Sequence, residues 1–394
     1  MMHSHASGAA AGDSIGVPHP IPIVPTHFTF DRSPWLVYWE ATRACNLTCR
    51  HCRAEAQVDR DPCELSTGEG EALLDAVARF GDPAPHLVIT GGDPLRRPDL
   101  FRLLEYGRRQ NLAISLAPSV TDLLQPQVFH ELRRLGVGTI SLSLDGNQAE
   151  THDGIRGIPG CFERTLEMTR AAVAAGLGVQ INTLVTAETL PELKDIYSRV
   201  VDLGAIRWSL FFLITVGRGT VLSEITPDET ESLMHWLADR MGERRIQIKT
   251  TEAPHFRRLA IERLRAAGRG MDDIRRLPIA RGFGVRDGNG ILFVAHNGDV
   301  YPSGFLPVVA GNVRQSELND IYRRSSVFQS IRAVDDYEGK CGICEFRRIC
   351  GGSRARAFAA TGNFLGSDPL CSYEPALTGN SISRQDAYHD SGLE

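Results

Sequence analysis

The chain has 394 residues, 42% hydrophobic and 23% charged, which fits a globular protein of about two domains. Lys+Arg 43 against Asp+Glu 48 leaves a net charge of −5, so no basic field favours nucleic acid or an anionic membrane. No apolar stretch approaches the ~20 residues that span a bilayer, and nine cysteines are too few for a disulfide scaffold.

Residues 1–33 are rich in Gly, Ala, His and Pro and are expected to be a disordered tail, with His3 and His5 solvated. The segment lacks a cationic start and an apolar h-region, so it is no secretory signal and a cytoplasmic location is expected. From Pro34 to about residue 245, short apolar runs alternate with amphipathic segments. Strands are expected at Trp35–Ala41, His86–Thr90, Leu112–Ala117, Gly138–Leu144, Gly178–Val185 and Ile206–Thr215. Helices are expected between and after them, at Thr67–Phe80, Asp99–Gln110, Pro126–Leu135, Cys161–Ala175, Leu190–Leu203 and Pro227–Met241, several followed by a capping glycine such as Gly136, Gly176 or Gly204. Six such repeats predict a parallel sheet covered by helices. The first strand lacks a GxGxxG turn after it, so a partial (β/α)6 barrel of the TIM type is expected over 34–245.

The rhythm then breaks. Residues 246–290 read as a basic helical linker. A hairpin is expected from Ile291–Val294 and Gly298–Tyr301 around Asn297-Gly298, a strong turn dipeptide. A helix near Leu318–Arg332 and a Cys- and Gly-rich stretch complete a smaller unit at 291–375, and 376–394 reads as a second loose tail.

The cysteines sort by spacing. After the first strand comes Cys45-Asn-Leu-Thr-Cys49-Arg-His-Cys52, a C-x3-C-x2-C loop. A closed zinc site takes four ligands and only three lie here. Three thiolates can instead hold three corners of a 4Fe–4S cube, leaving one iron open to a ligand. The loop also follows a strand C-terminus, where βα barrels carry their chemistry. At these residues the sequence resembles the radical S-adenosylmethionine (SAM) superfamily. That resemblance implies SAM bound to the open iron, its reductive cleavage to a 5′-deoxyadenosyl radical and hydrogen abstraction from a substrate, with no protein side chain as the catalytic group. It also implies roles for further residues. His51 is expected near the adenine, and Gly91-Gly92-Asp93 stands where the family holds the SAM amino group, with Asp in place of the usual Glu. Ser143 and Arg156 are expected at the SAM carboxylate and Asn182 at the ribose. Ala117-Pro118-Ser119 departs from the family's third-strand turn. Cys63 and Cys161 read as structural thiols.

Cys341-x2-Cys344-x5-Cys350-x20-Cys371 supplies four thiolates, a closed set for zinc or for a fully ligated iron–sulfur cluster. The region resembles a SPASM-type domain, which implies a C-terminal iron–sulfur unit. Ser303 and Arg354 stand where that pattern has cysteines, so one auxiliary 4Fe–4S cluster is expected. Gly217-Arg218-Gly219, Tyr301–Pro307 and Gly311-Asn312-Val313 resemble the tetrapyrrole branch of haem biosynthesis. The resemblance implies a haem-type macrocycle modified at its propionates, and a flavodoxin or ferredoxin donor. Arg218, Arg281, Arg286, Arg354 and Arg356 are candidates to hold carboxylates, because Arg pairs with them bidentately. The alternative substrate is a ribosomally made peptide, as for SPASM maturases, and a more distant alternative is a non-enzymatic iron–sulfur or zinc scaffold.

Overall fold

The computed structural model describes residues 29–376 except 242 and 244. Of the two expected tails, residues 1–28 and 377–394 lie outside the described residues.

The strands are β1 (Leu36–Glu40), β2 (His86–Thr90), β3 (Ile114–Leu116), β4 (Thr139–Ser143), β5 (Gly178–Val185), β6 (Arg207–Phe212), β7 (Gln247–Thr251), β8 (Ile291–Val294), β9 (Asp299–Tyr301) and β10 (Gly311–Asn312). They form one sheet in the order β10-β9-β8-β1-β2-β3-β4-β5-β6-β7. Strands β1 to β7 run parallel, each pairing with the next. The expected partial barrel is therefore present, its six strands falling within the predicted windows. Strand β7 is an addition that falls in the region read as linker. Its sequence, Gln-Ile-Lys-Thr-Thr, alternates weakly and lacks the apolar run that marks the other strands. The hairpin β8–β9 turns at Asn297-Gly298 as expected, with Gly298 at φ 87°. Strand β8 also pairs parallel with β1, so the C-terminal segment extends the barrel's own sheet. The expected helix near 318–332 is two, Leu318–Arg324 and Ser326–Arg332, broken at Ser325, which is extended at ψ 133°.

Side-chain alternation divides the barrel wall. Outward residues such as Leu87, Ile89, Ile140, Leu142, Ile181 and Trp208 are buried against helices. Trp208 packs edge-on to Trp236 of the helix Pro227–Met241, their centroids 6.4 Å apart. Several inward residues are polar. His86 bonds Ser115 Oγ at 2.8 Å, and Ser115 Oγ meets Thr139 Oγ1. Helix ends are locally encoded as well. Ser66 accepts from the Glu69 N–H, and Glu69 accepts from the Ser66 N–H, a full capping box on the helix Thr67–Ala78.

Burial in the barrel interior, reinforced by Arg207 and Lys249, holds the His86 pKa at about 4. In the unfolded chain it returns to about 6.5. Below that pH the unfolded state takes up a proton that folded His86 refuses. Stability from this one group is therefore expected to fall by about 1.4 kcal/mol per pH unit down to pH ~4. Urea unfolding of the wild type and His86→Gln between pH 7 and 5 checks this. The variant should lose that share of the acid slope, and identical slopes would contradict it.

Candidate active site

The site sits at the C-terminal ends of β1 to β6, around a cavity of about 210 Å3. Strand β1 leads into the loop 41–57, which carries Cys45, Cys49 and Cys52, all three lining the cavity. The loop is held by backbone pairing to the turn after β2. Gly92 N–H donates to Thr42 O, and Asp93 N–H to Ala44 O, both at 2.7 Å. A Cβ at Gly91 would stand 2.5 Å from Thr42 O, and one at Gly92 2.6 Å from Ala44 O. The two glycines thus let the loop pass against the β2 turn, which fixes the cysteines over the barrel mouth.

The three sulfurs accept weak bonds. Leu47 N–H donates to Cys45 at 3.3 Å, Ala56 N–H to Cys52 at 3.4 Å, and Arg156 Nη1 approaches Cys49 at 3.8 Å. Burial raises the thiol pKa of Cys45 and Cys49, so their ligand form, the thiolate, needs a cationic partner such as iron. Arg156, at the end of the helix Ala149–Arg156, is ion-paired with Asp145. Asp145 in turn accepts from Leu184 N–H at 2.7 Å. Burial opposes ionisation of Asp145, but the Arg156 guanidinium holds its pKa below the usual carboxylate value.

His51, Gly91, Gly92, Ser143 and Asn182 line the same cavity. Burial, with Arg156 adding, lowers the His51 pKa to about 4, so the ring is neutral near pH 7. Asn182 Oδ1 accepts from Gln180 Nε2 at 2.7 Å. Asp93 is placed behind the wall. Its carboxylate accepts from Thr121 Oγ1 at 2.7 Å and from the N–H groups of Leu95 and Ser119, fastening the turn after β3. Ser119 from that turn lines the cavity, and its Oγ lies 3.6 Å from Cys45 Sγ.

A second pocket gathers Cys341, Cys344, Cys350 and Cys371 with His255. Their sulfurs accept from Phe346 N–H and Gly352 N–H at 3.4 Å, and from Asp368 N–H at 3.5 Å. Burial pushes the Cys344 thiol up to about 12 and the Cys371 thiol up to about 11. Arg354 is fully buried; its Nη1 donates to Gly366 O at 2.7 Å and its Nη2 reaches Cys341 Sγ at 3.4 Å. Ser303 accepts from Phe305 N–H at 3.3 Å and shapes the turn that brings Phe305 to the first cavity.

The five arginine candidates separate cleanly. Only Arg218 lines the first cavity. Arg281 is exposed. Arg286 is buried, donating to Tyr337 OH at 3.0 Å and Gly284 O at 2.9 Å, while Arg354 and Arg356 are buried among carbonyls and carboxylates. Arg53 and His255 are among the residues that the sequence motifs do not mark. Arg53 lines the cavity, bonds Glu40 Oε2 at 2.9 Å and stacks 4.3 Å over Phe293; its position directly after Cys52 was the available signal. His255, beside the second cysteine set, had none.

Fold and site together define a radical SAM enzyme, and comparison with known proteins agrees. The sequence matches the Radical SAM superfamily over residues 39–200 and the SPASM iron–sulfur cluster-binding domain over 286–345. It is 40% identical to AdoMet-dependent heme synthase of Methanosarcina barkeri, covering 87% of this chain and 97% of that one. It is also 40% identical to AdoMet-dependent heme synthase of Oleidesulfovibrio alaskensis, over 86% and 87% of the two chains. Streptococcus suis SuiB bound to S-adenosylmethionine shares the fold, with a TM-score of 0.67 at 16% identity over 87% of this chain and 78% of that one. The chain belongs to the haem-biosynthesis branch of the radical SAM superfamily. Its cofactors are SAM, a 4Fe–4S cluster and an auxiliary iron–sulfur cluster. The residues present fit them: three thiols surround the first cavity together with His51 Nδ1, Arg156 Nε and two Arg218 nitrogens, these four nitrogens being buried and without hydrogen-bond partners among the described residues. Among the described residues no helix is long and apolar enough to cross a membrane.

Proposed function

We propose that the enzyme modifies the propionate side chains of a haem-type tetrapyrrole by radical chemistry. The observation that supports this most is the cavity itself, where three cysteines, an unpaired arginine and aromatic walls meet. Cys45, Cys49 and Cys52 would hold the SAM-binding cluster, and Cys341, Cys344, Cys350 and Cys371 the auxiliary one. When bound, cluster and SAM supply a 5′-deoxyadenosyl radical. The chain's own residues position and shield. Asp145 fixes the Arg156 guanidinium beside Cys49. Ser143, at the end of β4, and Asn182, within β5, offer hydrogen bonds to the SAM carboxylate and ribose. Gly91 and Gly92 offer backbone carbonyls to its ammonium group; the Asp93 carboxylate supports this turn from behind. His51, neutral, sits against the adenine. Phe211, Leu213, Ile214 and Phe305 keep water from the reacting atoms. A flavodoxin or ferredoxin is the proposed electron donor and the cytoplasm the proposed compartment.

Anaerobic incubation with SAM, dithionite and an iron tetrapyrrole bearing free propionates tests the reading. 5′-Deoxyadenosine should rise with the acid and not with its propionate ester. Stimulation by a short peptide and by no tetrapyrrole would replace it with the maturase reading.

A further inference from the structure

Three arginines line the first cavity, and two of them carry their own carboxylate. Arg53 is paired with Glu40 and Arg156 with Asp145. Arg218 has none among the described residues. Its one side-chain bond is long, from Nη1 to Ala56 O at 3.4 Å, and Nε and Nη2 are buried with no partner. A guanidinium stays charged at any relevant pH, and leaving two of its donors unmade away from water is costly. The arrangement is also held in place. Gly217 takes φ 53°, and a Cβ there would stand 2.8 Å from both Cys52 O and Arg53 O. Arg218 N–H donates to Cys52 O at 3.1 Å, which pins the residue against the cysteine loop. In the same cavity, Phe211 of β6 and Phe305 of the C-terminal segment lie with ring centroids 6.4 Å apart.

An unpaired, planar double donor that shares a cavity with two aromatic faces is complementary to a flat apolar body with a carboxylate at its edge. Resting on the tetrapyrrole reading above, we propose that Arg218 takes a substrate carboxylate bidentately, while Phe211 and Phe305 contact the macrocycle. Arg218 is then a specificity-determining residue: an uncharged or esterified edge leaves its donors unmade. The SAM carboxylate is the other source of the same chemistry, and the test separates the two.

Cluster-reconstituted wild type, Arg218→Met and Arg218→Lys are titrated with a metal-free tetrapropionate porphyrin and with its tetraester by fluorescence, and with SAM by equilibrium dialysis. Arg218→Met should weaken the tetra-acid by roughly ten- to hundredfold, the range of a charge-assisted bidentate pair. Arg218→Lys should recover part of that, the ester should bind wild type and variants alike, and SAM affinity should stay within about twofold. Iron content checks that the variants are intact, and if Arg218→Met loses iron, the Arg218→Lys acid-to-ester ratio carries the comparison. Equal tetra-acid affinity in wild type and variants overturns the Arg218 assignment alone. Weakened SAM with unchanged tetra-acid overturns it in favour of SAM. A wild type that binds neither acid nor ester overturns the tetrapyrrole reading, and this proposal with it.

Discussion

Replacing Cys49 with alanine is expected to abolish 5′-deoxyadenosine formation and to halve the iron, from about eight to about four per chain. Two cubane clusters account for the eight, and the seven clustered cysteines divide three and four between the two pockets. Cys49 is buried beside Arg156 and Cys52, so no other thiol of the loop can take its place without moving the backbone. Cys45→Ala and Cys52→Ala should behave alike. Cys161 supplies the internal control. It is buried at the start of the helix Cys161–Ala174 and does not line either pocket. Cys161→Ala should keep all the iron and lose only packing stability, on the order of 1 kcal/mol. Iron analysis with electron paramagnetic resonance of the reduced protein reads both. A Cys49→Ala protein that retains about eight irons would show that the first loop does not hold a cluster.

The second large effect concerns stability and belongs to Arg356. Its side chain is 1% exposed and pairs with Asp368, itself fully buried, at 3.4 Å and with Glu224 at 3.2 Å. It further donates to Glu252 O at 2.7 Å and Leu213 O at 3.0 Å, tying β7's end and the cavity wall to the helix Arg354–Thr361. Although burial works against ionisation, Arg356 holds the Asp368 pKa below its usual value. Arg356→Ala strands that carboxylate, and such losses cost about 3–5 kcal/mol. Denaturant unfolding should show it, with the auxiliary site affected as well because Asp368 N–H bonds Cys341 Sγ. Arg281→Ala, at an exposed position, should stay within about 0.5 kcal/mol. A shift for Arg356→Ala no larger than that of Arg281→Ala would mean that the buried pairing contributes nothing to the fold.

How far the sequence shows these features depends on whether they are local. Strands β1 to β6 are visible because each is a short apolar run, most with a capped helix before it. The cysteine loop is visible because its three cysteines lie within eight positions. Long-range pairings are not visible. The bond between Asp93 and Thr121 spans 28 positions, and it explains why a residue of the Gly91-Gly92-Asp93 turn supports the wall from behind. The parallel pairing of β8 with β1 joins segments some 255 residues apart, and neither hydropathy nor spacing reports it. Arginines are ambiguous for the same reason. Arg286, Arg354 and Arg356 share the charge and motif context of Arg218, yet partners drawn from other elements satisfy them internally. Glycines carry part of this information in disguise. Gly91, Gly92 and Gly217 stand out as turn residues, but only the packed backbone shows that each makes room for the cysteine loop.

In the proposed reaction, a radical made at the first cavity takes hydrogen from a tetrapyrrole propionate. Incubating the reduced holoenzyme and SAM with an iron tetrapyrrole deuterated along its propionate chains tests this directly. Mass spectrometry should find deuterium in the 5′-deoxyadenosine and a macrocycle altered at a propionate. 5′-Deoxyadenosine that forms without deuterium, with the macrocycle unchanged, would contradict it.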